Sequence, residues 1–241
     1  MRHAVKLCDN TSQDQWASLY ITIAKAIIAE YGLEGKGVIR EGVRRYAAEL
    51  AKERKCTLLE SGYKTNLETF FTDGFGFPCG NRCRKEWIRN SEQELFLNVV
   101  QCPYADLWNK EDSEIGRMFC EEYYPVLVHE GTSEKAQINL GMCLLTGRDN
   151  ICRHSLYLRP ANVSAEKRAE CFPAFDVCYT PPASFPVWTP DYNKMKVQLI
   201  EALKSAALDK LGQDCVNSLI KAVASYATHE NDSFIAGLLE V

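Results

Sequence analysis

A chain of 241 residues, 46% apolar and 25% charged, can bury one full core or one core with a small satellite. Its net charge of −4 and isoelectric point near 5.7 give no basic footprint for nucleic acid, which is therefore not expected as a partner. The opening MRHAVKLCDNTSQDQW lacks the apolar run of a secretory leader, and no apolar stretch approaches the roughly 20 residues of a membrane span, so the expected setting is the cytoplasm without membrane attachment. The eleven cysteines, an odd number with no secretory context, read as reduced thiols rather than a disulfide framework, several of them core filler.

The first predicted element is a helix over 13–31. Trp16, Leu19, Tyr20, Ile23, Ile27 and Tyr31 recur at three-and-four spacing, Ser12 can cap the start and Gly32 ends it. A second helix over about 35–55 turns Val38, Ile39, Val43, Tyr46, Ala47 and Leu50 inward. Arg40, Arg44, Arg45 and Lys52 then read as a solvated face. Residues 56–85 show no clear period, and DGFGFPCGNRCRK over 73–85 has the composition of a surface loop. The Cys79-x3-Cys83 spacing within it resembles half of a zinc site, but no second ligand pair stands nearby and no metal is expected.

From residue 86 the period changes to two. Trp87 and Ile88 mark a short strand, and after the Asn90-Ser91 turn, 94–101 alternates Leu95, Leu97 and Val99 against Phe96, Asn98 and Val100. Helical spacing returns over 113–129 with Ile115, Met118, Phe119, Val126 and Leu127 inward, and Pro125 predicts a kink or break at Tyr124. A strand over 136–144 places Ala136, Ile138, Leu140, Met142 and Leu144 on one face and Cys143 on the other. A turn over 147–150 leads into 151–158, where Cys152, His154, Leu156 and Leu158 share a face. This order predicts an α+β fold, an antiparallel sheet with helices on one face, occupying residues 1–160. A proline- and aromatic-rich stretch over 161–190 is expected to pack as an ordered strap. Two amphipathic helices follow, the first starting at Thr189-Pro190 and the second over 213–227, expected to pack on the core as a C-terminal extension across 191–241.

The chemistry-bearing residues cluster at the two ends of the stretch 94–158. A reactive cysteine needs positive neighbours or a hydrogen-bonding base to hold its thiolate. Cys152 has Arg153 beside it and His154 two residues on, on the same strand face, where an imidazole can move a proton. The competing reading is a small buried thiol beside an ordinary strand residue. Cys102 and Cys120 carry weaker signals alone, and Cys152, His154 and Cys102 lack a recognisable metal-ligand spacing.

Three motifs in order, FLNVVQCPYADLW over 96–108, FCEEY over 119–123 and LLTGRDNICRHSL over 144–156, resemble the L-2-amino-thiazoline-4-carboxylic acid hydrolase family. The resemblance covers about 13–158, with the turn before Cys152 one residue looser than the family pattern. It implies a hydrolase that opens a small cyclic amidine at a C–N or C–S bond, with no cofactor. The general fold it implies is similar to small-ligand sensor domains, which keeps a non-catalytic binding role, or another ring chemistry on the same scaffold, as alternatives. The catalytic residues it implies are Cys152 or Cys102, with Cys120 at the same cleft and His154 as proton shuttle. Arg148 or Arg153 would hold a substrate carboxylate through a two-pronged pair, and Tyr104 would donate a hydrogen bond or fill the core. A homodimer is the expected assembly.

Overall fold

The computed structural model describes residues 10–72, 82–186 and 190–239. In chain order the elements are α1 (Asn10–Glu60), α2 (Leu67–Phe71), β1 (Arg84–Asn90), β2 (Glu94–Gln101), α3 (Pro103–Glu111), α4 (Ser113–Gly131), β3 (Gln137–Leu140), β4 (Cys152–Tyr157), α5 (Ala165–Cys171), α6 (Tyr192–Leu211), α7 (Gln213–His229) and α8 (Ser233–Leu239). The four strands form one antiparallel sheet in the order β1-β2-β4-β3, the α+β architecture expected from the sequence. Cys79 lies outside the described residues.

The chain divides into two compact units, each assembled from separated segments. The first comprises Met1–Tyr46, Pro103–Glu122 and Pro190–Val241; the second comprises Ala47–Cys102 and Tyr123–Thr189.

Within the first unit, α1 is two helices joined at Gly32, whose φ of 57° and ψ of −127° leave helical space. That conformation is one a residue with a Cβ rarely adopts, so Gly32 sets the predicted boundary. The inward faces predicted for both halves are buried: Trp16, Tyr20, Ile23 and Ile27, then Val38, Ile39 and Val43. An aromatic core forms around Trp16, whose ring meets Tyr104 at 5.4 Å, Phe119 at 5.5 Å and Tyr46 at 5.9 Å. Trp108 stacks on Tyr104 at 5.7 Å and donates its indole N–H to the Ala17 carbonyl at 3.0 Å. Gly42 lets α6 approach closely, since a Cβ there would stand 3.0 Å from the Leu203 Cα and 2.5 Å from its Cδ2.

The basic face of α1 is more than solvated. Arg40 and Arg44 both bind the Glu122 carboxylate, at 3.1 and 2.6 Å, and Arg45 binds Asp209 at 2.7 Å. Lys52 is exposed, as expected. The C-terminal helices differ at their edges from the sequence reading. α6 starts at Tyr192 rather than at Pro190, with Asp191 accepting the Lys194 N–H at 3.0 Å as N-cap. The short α8 is an addition, capped by Asp232 through the Ile235 N–H.

In the second unit, β2 buries Leu95, Leu97 and Val99 and turns its alternate residues away, as its period predicts. β4 pairs with it so that Val99 faces Cys152, Leu97 faces His154 and Leu95 faces Leu156. Cys152 and His154 therefore lie on the core side of the sheet. The strap is tied down: Tyr63 donates to the Pro182 carbonyl and packs on Phe185, and Lys64 pairs with Asp176 and lies over the Tyr179 ring. Ahead of the loop expected over 73–85, the stretch without a clear period contains α2, started by a reciprocal cap between Asn66 and Thr69.

Two local expectations change. α4 runs through Pro125 as one helix, so of the kink or break expected at Tyr124 the break is absent. A missing bond and a ring clash cost about 3 kcal/mol or more. Burying one large apolar side chain is worth about 1.5–3 kcal/mol, and Phe119, Tyr123, Leu127 and Val128 are all buried along this helix. The strand predicted over 136–144 ends at Leu140, and Leu144 belongs to a 3₁₀ turn over Leu144–Thr146.

Candidate functional site

The ladder between β3 and β4 continues irregularly past Leu140. Gly141 donates its N–H to the Arg153 carbonyl at 3.0 Å, while the Arg153 N–H goes to Met142, not Gly141, at 3.1 Å. Two residues thus oppose one, a β-bulge, and the extra residue shifts everything beyond it by one position. Without the bulge Met142 would oppose Cys152. With it, Cys143 does. The 3₁₀ turn then reverses the chain and ends on Gly147, whose φ of 69° suits a residue without a Cβ.

Asp149 holds this loop in shape. Its carboxylate accepts the Cys143 N–H at 3.0 Å and the Thr146 hydroxyl at 3.1 Å. The loop closes over Cys152, whose Sγ accepts the Leu144 N–H at 3.2 Å and lies 4.0 Å from the Cys143 Sγ. A backbone N–H aimed at sulfur favours the thiolate over the thiol. Cys152 and Cys143 are both partly exposed, so the pair is within reach of small molecules.

His154 follows Cys152 on the same face but is 3% exposed. Burial first, then the charge of Lys85, bring its pKa down to about 4, against which a hydrogen bond with the Cys152 backbone works the other way. The imidazole is therefore neutral at physiological pH, the form that can accept a proton.

The other predicted residues fall in different places. Cys102 is partly exposed, directly after β2 and ahead of α3, at the same end of the sheet as Cys152. Cys120 is on the part of α4 that belongs to the first unit. Tyr104, 2% exposed, is core, held between Trp16 and Trp108. Arg148 is exposed on the loop that covers Cys152, whereas Arg153 is exposed on the outer face of the sheet, opposite Asn98. Cys171 and Cys215 are the filler expected of a cysteine-rich interior: both are buried, and burial pushes both thiols up. Among the described residues no three His, Cys, Asp or Glu side chains are grouped to hold a metal ion. None of the described helices is long and apolar enough to cross a membrane.

Sequence reasoning missed Cys143 because a regular strand puts it on the polar face, away from the core. An isolated glycine inside a strand pattern is a bulge signal, and Gly141 was the clue.

The chain is 22% identical over 147 residues to an uncharacterized protein of Archaeoglobus fulgidus, a match covering 58% of this chain and 65% of that relative. The chain thus spans about 65% of the relative's length. No solved structure matches it. The sequence profile named for L-2-amino-thiazoline-4-carboxylic acid hydrolase matches residues 14–153, which takes in β2, α4 and the loop up to Cys152 and Arg153. That match covers more than half of the chain, which belongs to the L-2-amino-thiazoline-4-carboxylic acid hydrolase family.

Proposed function

We infer that the protein is a hydrolase of a small cyclic amidine of the 2-amino-thiazoline-4-carboxylate type, with Cys152 as nucleophile. Family membership supports the reaction class, and the observation that carries the choice of residue is the Leu144 N–H directed at the Cys152 sulfur. Cys102 is the alternative nucleophile at the same end of the sheet.

The chemistry balances with one water. The Cys152 thiolate attacks the ring carbon that bears the exocyclic amine, forming a C–S bond. The ring C–S bond then breaks, and the departing sulfur takes a proton to become the free thiol of the opened product. Water adds to the resulting isothiourea, the bond to Cys152 breaks, and an N-carbamoyl cysteine leaves as the thiolate is restored. A neutral His154 suits the role of accepting the proton of that water. Arg148, on the loop over Cys152, is the residue proposed to receive the substrate carboxylate. Arg153, on the outer face, is not proposed for that task.

The test is turnover of 2-amino-thiazoline-4-carboxylate by catalytic amounts of protein, followed by release of the product thiol and by its mass. Loss of turnover in folded Cys152→Ser supports the reading. Retained turnover there, with loss in Cys102→Ser, moves the nucleophile to Cys102. Absence of turnover in the wild-type protein rejects the substrate class.

A further inference from the structure

We propose that Cys143 and Cys152 form a dithiol that a hydroperoxide converts to a reversible intramolecular disulfide, with Cys152 the residue attacked first and Cys143 the resolving thiol. The two sulfurs are 4.0 Å apart although the residues are nine apart in sequence. The bulge at Gly141 makes them cross-strand partners. Residues facing each other across antiparallel strands have Cα atoms about 4.5–5.5 Å apart. That spacing falls inside the roughly 4.4–6.8 Å window of disulfides, whose S–S length is about 2.05 Å. Rotating the two side chains to close about 2 Å suffices, with the loop already held by Asp149 and the Thr146 hydroxyl.

The Leu144 N–H is directed at the Cys152 sulfur, and a backbone N–H donated to sulfur favours the thiolate there. The Cys152 thiolate attacks a peroxide oxygen, an S–O bond forms, the O–O bond breaks, and the departing oxygen takes a proton to leave as water or an alcohol. The Cys143 sulfur then attacks the Cys152 sulfur. The S–S bond forms, the S–O bond breaks, and hydroxide leaves with the Cys143 proton as water. Both cysteines are reduced to sulfide oxidation level again by an added dithiol.

The experiment uses the full-length protein treated with hydrogen peroxide at neutral pH, alkylated, and digested with trypsin without reduction. Cleavage after Lys135, Arg148 and Arg153 separates the two cysteines into peptides 136–148 and 149–153. The expected product is those two peptides joined, lighter by a pair of hydrogen atoms and released by dithiothreitol, formed ahead of oxidation at the exposed Cys56 and Cys178. In Cys143→Ser the link is lost and the Cys152 sulfenic acid is trapped by dimedone. In Cys152→Ser the link is lost and Cys143 takes up little dimedone. Oxidation of Cys56 and Cys178 while 136–148 and 149–153 stay unlinked overturns the proposal, and dimedone labelling of Cys143 ahead of Cys152 overturns the assigned order. The readout is mass rather than turnover, so it stands or falls apart from the hydrolase reading.

Discussion

Tyr124 and His154 meet edge to face, their ring centroids 4.7 Å apart and their planes at 67°. A histidine packed against an aromatic ring and 3% exposed is a base that the fold holds uncharged.

This burial predicts a pH dependence of stability. The His154 pKa falls from 6.5 to about 4 on folding, so the unfolded chain binds more protons between those values. The contribution is complete above pH 6.5, declines as the pH drops, and is lost below about 4. A fall of that size corresponds to about 3 kcal/mol. Denaturant unfolding at pH 7 and pH 5 should show wild type losing more stability than His154→Leu. Equal losses in both proteins would show that His154 does not titrate in this window. An imidazole proton titration by NMR should place its midpoint near the lower value.

Cys152→Ser and Cys152→Ala are expected to lower turnover on the order of 10³-fold or more. Melting temperature should change little, because the side chain is partly exposed. Melting and turnover measured on the same preparations separate a nucleophile from a packing role. A drop in melting temperature with unchanged specific activity in the folded fraction would assign Cys152 to packing.

The helices α1 and α6 make close contact at Gly42, and Gly42→Ala should destabilise the protein by about 1–3 kcal/mol. The added methyl meets the Leu203 backbone as well as its side chain, so rotamer change alone does not relieve it. A shift in the denaturant midpoint with an unchanged slope is the expected signature.

Lys196 and Asp232 are 1% and 3% exposed and form an ion pair, with Gln15 accepting from the ammonium at 2.9 Å and Tyr226 donating to the carboxylate at 3.2 Å. Asp232→Asn leaves the Lys196 charge buried without its counterion, and about 3–5 kcal/mol of stability should go with it. Asp232→Leu combined with Lys196→Met removes both charges and should cost less than the single change. Urea unfolding of the three proteins gives the comparison; a double variant that loses as much stability as Asp232→Asn, or more, would contradict the coupling.

The sequence exposes those parts of the fold whose pattern repeats. The alternation of Leu95, Leu97 and Val99 survives in the structure because β2 is flanked by strands on both sides and has one buried face. The heptad-like face of α1 is equally legible, as is its break at Gly32. What the sequence hides is set by neighbours distant along the chain. α3 and α8 are too short for periodicity to show. Pro125 is read as a helix breaker because the burial that offsets it is tertiary. In the site, Cys152 and His154 share a face as their spacing implies, since an i, i+2 pair needs only one strand. The partnership of Cys143 with Cys152 depends on a single extra residue in the ladder, and Tyr104 is committed to an aromatic core assembled from two segments distant in sequence.

The segmented first unit has a consequence for how the protein is made. Its first helix must wait for its last: the Gly42 surface of α1 is synthesised far ahead of Leu203, which covers it. At about 5–20 residues per second, the ribosome needs roughly 8–30 seconds to bridge that interval. Throughout it the apolar side chains of α1 that α6 covers are without their C-terminal partners. A fragment trimmed to residues 14–153 would keep that condition permanently, since the matched segment omits α6, α7 and α8. The shortest expressible form of this unit therefore includes the C-terminal helices.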